Sequence, residues 1–250
     1  MRGIINRVKY TVGFLATVAI HAVAIETRKR FVGIEPEFRQ GSADDMVADS
    51  LRSGDVVIFS RKWYNYHLPT ALLVKAQEAF YGGEYDHSGI IVMKAGTPYV
   101  LETTPIRGVQ CRRFEERIRH SASSHIVVLT LNKSKSLSVQ QDQQLKDFAD
   151  QECATKASFV HSEIAGFAGG LFNYILAEVL KAKEPSGIYC PNVNLLERSF
   201  KSMDLGLRSK SSDVSLLKAS IKDLHERKVL VTTVDSGIVQ FSASDVHIRS

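Results

Sequence analysis

Apolar residues are distributed along this chain in two ways. Residues 10–25 form one nearly unbroken apolar stretch, polar only at its threonines and His21, with basic residues on both sides. From residue 51 onward the apolar positions come in shorter, patterned groups. The turn Gly54-Asp55 feeds a β-branched run, Val56 to Phe59, which predicts a strand. Residues 69–81 carry apolar side chains at Leu72, Leu73, Ala76, Ala79 and Phe80, the spacing of a helix. Two strands follow, Tyr85 to Met93 and Pro98 to Thr103, with Gly96 between them, and then a third, Ile126 to Leu131. Residues 138–157 predict an amphipathic helix with Leu145, Phe148 and Ala149 on one side. Residues 161–182 predict an apolar helix containing Gly166, Gly169 and Gly170. A further helix starts at Pro191, a serine-rich loop covers 208–215, and Lys228 to Val234 with Gly237 to Phe241 reads as a hairpin. Residues 31–52 read as a polar linker running into a short helix. The pattern predicts an α+β fold, a mainly antiparallel sheet packed against helices in one domain over 31–250, preceded by a separate hydrophobic segment, 1–30.

Charge sharpens that division. The chain carries 32 Lys and Arg against 27 Asp and Glu. Arg2, Arg7, Lys9, Arg28, Lys29 and Arg30 against Glu26 account for the whole net charge of +5, so residues 31–250 are electrically balanced. A nucleic-acid surface needs a basic face, and a balanced body argues against that partner. Arg112, Arg113, Arg117 and Arg119 are interleaved with Glu115 and Glu116, which reads as a solvated face. The stretch 10–25 is slightly short of a full bilayer span as a helix. A single-pass membrane anchor is the reading preferred here. A secretory signal, given Ala22-Val23-Ala24, and a mitochondrial presequence, given no acid before Glu26, are the alternatives. The literal Gly166-x-x-x-Gly170 resembles a membrane packing motif, but His161, Glu163 and Glu178 favour a buried or groove-lining helix.

The three cysteines, Cys111, Cys153 and Cys190, form no C-x-x-C pair, and no histidine pattern suggests a metal. No cofactor or metal is expected. Cys190 is the chemical candidate. Pro191 suits the first position of a helix, which places Cys190 at a helix N-terminal end, where unpaired N–H groups and the dipole favour a thiolate. A cysteine nucleophile needs a base, and the base an orienting group. With a turn centred between Lys94 and Ala95, His87 and Glu102 face each other across the hairpin on one side of the sheet. Alone, each is more often a satisfied structural residue.

The order of these residues resembles a known family. Gly54-Asp55 before an apolar strand, Asp86-His87-Ser88-Gly89 followed by Ile-Ile-Val, Val-Leu-Glu102-Thr-Thr-Pro-x-x-Gly-Val, and a late Tyr189-Cys190 opening a helix look like the circularly permuted papain-like (NlpC-type) cysteine hydrolases, in particular their YiiX/YebB-like amidase branch. The resemblance covers about residues 51–200. It implies a permuted papain-like fold with Cys190 as nucleophile, His87 as base and Glu102 as third polar member. It also implies acyl transfer through a thioester from a small-molecule, peptide or lipid acyl substrate. Pro191-Asn192-Val193-Asn194 departs from the Ser-Glu-Leu-like run common in relatives and removes one N–H that could bind an oxyanion. Three functions follow: a thiol hydrolase of amides or esters, a lipid-directed acyltransferase or phospholipase of the lecithin-retinol acyltransferase type, and a binding protein that has kept the fold without turnover.

Overall fold

The computed structural model describes residues 40–65, 85–104, 108–121, 123–131, 137–155 and 191–209. It also describes residues 20, 71, 74 and 75 and the strand segments 229–233, 238–239 and 246–248. The expected anchor at 10–25 apart from Ile20, the helix at 161–182 and most of the helix at 69–81 lie outside these residues, as does Cys190. Among the described residues no helix is long and apolar enough to cross a membrane.

The fold is α+β. The strands of the main sheet are β1 (Val56–Arg61), β2 (His87–Lys94), β3 (Thr97–Thr104), β4 (Gly108–Arg113) and β5 (Ser123–Leu129), with the late strand β9 (Val246–Ile248) at one edge. Their spatial order is β4-β3-β2-β1-β5-β9, and every pairing is antiparallel. A second sheet joins β6 (Leu205–Ser209), β7 (Val229–Thr233) and β8 (Ile238–Val239), so the expected late hairpin is present as β7 and β8. The helices are α1 (Ala43–Ser50), α2 (Phe114–Arg119), α3 (Val139–Ala154) and α4 (Pro191–Ser202). Ser138 opens α3 with a capping box shared with Gln141, which satisfies N–H groups that a helix start leaves unpaired.

Side chains alternate across a strand, and this sorts the core into two layers. On one face Ile58, Ile90 and Leu101 pack with Leu145 of α3 and Leu196 and Phe200 of α4. On the other, Phe59, Ile91 and Val100 pack with Val47 and Leu51 at the end of α1 and with Phe114 and Ile118 of α2. α3 and α4 run past each other in opposite directions: Gln141 near the start of α3 donates to the Met203 carbonyl beyond α4, while Glu152 near its end pairs with Arg198, Nη1 to Oε1 at 2.8 Å.

Asp55 fixes the start of β1. Its Oδ2 accepts from the Arg52 N–H at 2.8 Å and its Oδ1 from the Leu131 N–H at 2.9 Å, tying β1 to the chain beyond β5. Burial raises its pKa to about 6 against the opposing pull of those N–H groups. Gly54 before it has φ +91°, a left-handed conformation that glycine adopts without strain.

The β2–β3 hairpin turns one residue later than the sequence reading places it. The turn residues are Ala95 and Gly96, with φ of 48° and 80°, and Lys94 pairs with Thr97. A two-residue hairpin turn of this hand needs left-handed backbone at both positions. Centring the turn on Lys94 and Ala95 would leave Gly96 in a strand and put two side-chain-bearing residues in that region. The consequence is that Glu102 lies opposite Gly89, not opposite His87. A register change of two residues keeps every side chain on its face, so His87 and Glu102 remain on the same side as diagonal neighbours.

Candidate active site

His87 is the first residue of β2 and is 2% exposed, and Glu102 on β3 is fully buried. Their side chains meet, His87 Nε2 to Glu102 Oε2, at 2.7 Å. Gly89 is what makes the diagonal contact possible. A Cβ built at residue 89 would stand 2.7 Å from Val100 Cγ1, 3.0 Å from the Leu101 carbonyl and 3.4 Å from Glu102 Cβ. The absent side chain opens the space across which Glu102 leans toward His87.

Two arginines hold the glutamate. Arg117 Nε donates to both carboxylate oxygens, at 2.6 and 2.8 Å, and Arg112 Nη2 donates to Oε1. Burial alone would raise the Glu102 pKa, but Arg117, the hydrogen bond from His87 and Arg112 hold it well below the usual carboxylate range. Glu102 is therefore ionised, and the ring nitrogen facing it carries the proton: Nε2–H donates, leaving the lone pair on Nδ1. The His87 pKa is lowered to about 4, first by burial and then by the positive charge of Arg61, against the raising effect of Glu102. Arg61 is itself bound to Asp86, by Nε to Oδ2 at 2.5 Å and by its backbone N–H to Oδ1 at 2.8 Å. The Phe59 ring completes the surroundings, 5.5 Å from the His87 ring and 4.2 Å from the Arg117 guanidinium carbon. Cation–ring contact of that kind stabilises a buried guanidinium.

The structure thus brings together two of the three expected site residues. The third, Cys190, lies outside the described residues. The described residues of α4 are Pro191–Ser202. The apolar side of α4 packs on the Ile90 and Leu101 face of the sheet, whereas His87 and Glu102 share the Ile91 and Val100 face. The arginine group 112–119 is also corrected in part. It is not simply a solvated face, because Arg117 is 6% exposed and both Arg117 and Arg112 end on Glu102. Burial wins at Arg117 because it lies on the same side of α2 as Phe114 and Ile118, at the i, i+3, i+4 spacing of one helix face. That spacing is visible in the sequence and is the signal that could have paired Arg117 with a buried acid.

Cys111 is not activated. Its pKa is raised to about 11, chiefly by burial, which leaves it a thiol at neutral pH. Among the described residues no three His, Cys, Asp or Glu side chains are grouped to hold a metal ion.

No protein-family model matches this chain, and no curated protein matches it. Among solved structures, the metalloprotein yiiX from Escherichia coli O157:H7 is similar over 80% of this chain and 97% of that one, at 15% identity and a TM-score of 0.39. A likeness of that size transfers no residue roles.

Proposed function

We propose that this protein is a thiol-dependent hydrolase of amide or ester bonds, with Cys190 as nucleophile, His87 as base and Glu102 as the residue that orients the base. The observation that carries the reading is the buried His87 Nε2···Glu102 contact of 2.7 Å, with the carboxylate held ionised by Arg117. This fixes the imidazole tautomer and leaves Nδ1 as the acceptor, which is the arrangement a nucleophile–base pair requires. The Cys190 thiol transfers its proton to Nδ1 as sulfur attacks the carbonyl carbon. The imidazolium then protonates the leaving amine or alcohol, and water hydrolyses the thioester. With a pKa of about 4, His87 is neutral at pH 7 and acts as a general base during attack. It does not form a standing imidazolium–thiolate pair. In this reading the protein works at a membrane, held by residues 10–25. Release of fatty acid from liposomes, set against hydrolysis of a panel of peptide amides, identifies the acyl class and decides between the amidase and the lipid-directed alternative.

The packing of α4 on the opposite face favours a second reading, a binding protein in which His87 and Glu102 are a structural tie between β2, β3, β4 and α2. Labelling by a thiol-directed acyl probe separates the two. The hydrolase loses labelling in Cys190→Ala and slows by about 10²-fold or more in His87→Gln, the usual scale for removal of a general base. Labelling that persists in Cys190→Ala overturns the hydrolase assignment. Labelling at Cys190 that is indifferent to His87→Gln removes His87 from the chemistry and leaves the tie.

A further inference from the structure

We propose that Arg112, backed by Arg117, forms a binding site for a small oxyanion, a carboxylate or a phosphate, on the side of Glu102 away from His87. Two guanidiniums share the single carboxylate of Glu102, and the adjacent imidazole is neutral at pH 7, so this group carries one positive charge more than its carboxylate balances. Arg117 is committed, with its Nε spanning both oxygens of Glu102 beneath the surface. Arg112 is not. Its side chain is 29% exposed, it reaches Glu102 through Nη2, and among the described residues its buried Nε has no hydrogen-bond partner. A buried N–H left unpaired is costly, and an uncompensated cation beside a low-dielectric cluster more so. The planar fork of a guanidinium, with donors still available and solvent within reach, matches carboxylate and phosphate oxygens. Glu115 of α2 pairs loosely with Arg113, Nη2 to Oε2 at 3.5 Å, and no hydrogen bond joins it to Arg112 among the described residues.

The site does not depend on turnover at Cys190, and its test is a binding measurement. The full-length protein is titrated with inorganic phosphate and, separately, with acetate at constant ionic strength set by chloride. The readouts are the arginine Nε–H resonances and calorimetry. A saturable shift of the Arg112 Nε–H signal is expected with one of the two anions, and the anion bound more tightly names the ligand class. Arg112→Gln weakens that binding by at least about tenfold, and Arg112→Lys, which keeps the charge and loses the fork, weakens it less. If Arg112→Gln proves too unstable to titrate, Arg112→Lys alone decides: its affinity for the anion must fall below that of the natural chain. No saturable binding of either anion, or equal binding in the variants that fold, overturns the proposal.

Discussion

His87 sets a pH dependence that its own burial explains. Its pKa falls from 6.5 to about 4 on folding, so between those values the unfolded chain holds a proton that the folded chain does not. Stability therefore rises with pH through this window. The contribution is complete above about 6.5 and is lost as pH falls toward 4, a swing on the order of 3 kcal/mol. Glu102, with a lowered pKa, adds loss in the same direction at more acid pH. Asp55, raised from 3.8 to about 6, acts oppositely and costs stability as pH rises through that range. His87→Gln, whose amide can still donate to Glu102, is expected to flatten the fall in stability between pH 6.5 and 4, as read by urea denaturation at successive pH values. Gly89 gives a second test. With a Val100 methyl and the Leu101 backbone carbonyl in the way of any Cβ, Gly89→Ala is expected to cost about 1–3 kcal/mol and to push Glu102 away from His87. The imidazole resonances of the variant report the loss of that contact.

The elements explain why this residue pair forms although the register differs from the simplest reading of the hairpin. The apolar, mostly β-branched runs Ile90-Ile91-Val92 and Val100-Leu101 identify β2 and β3. Such runs do not specify where the chain reverses. The reversal is decided by Gly96, which takes the second left-handed position, and it forces Ala95 into the first at φ 48°. Ala95 is exposed and bears a side chain in a region that alanine disfavours. Asn-Gly is the preferred pair for such a turn, so Ala95→Asn is expected to stabilise the protein by about 0.5–1 kcal/mol, measured as a raised urea midpoint with unchanged slope. β4 and α2, which deliver Arg112 and Arg117, are harder to see in the sequence. β4 is a strand of Gly, Gln, Cys and Arg alongside one valine, and α2 is only six residues long. Both are held by packing against β3 more than by any local preference.

Across the whole molecule, α4 joins the main sheet to β6, and its described residues follow Cys190 in the chain. Leu196 and Phe200 are fully buried in the layer with Ile90 and Leu101. Phe200→Ala is expected to cost about 3–5 kcal/mol, seen in thermal or urea unfolding. If the hydrolase reading holds, it also lowers the rate of Cys190 labelling in molecules that remain folded, because α4, which follows Cys190 in the chain, is held less firmly against the sheet. The sequence by itself determined the α+β class, the helix that becomes α3 and the shared face of His87 and Glu102, since these follow from local periodicity and the two-residue period of a strand. Only the tertiary structure decided three other things. It set the diagonal register, which depends on which turn residue bears the left-handed strain. It gave Glu102 two arginine partners, which come from elements with little local signal. It also put α4 on the face opposite the His87–Glu102 pair, because the side of a sheet that a helix covers is settled by which apolar surface it buries, and that is a property of the assembled core.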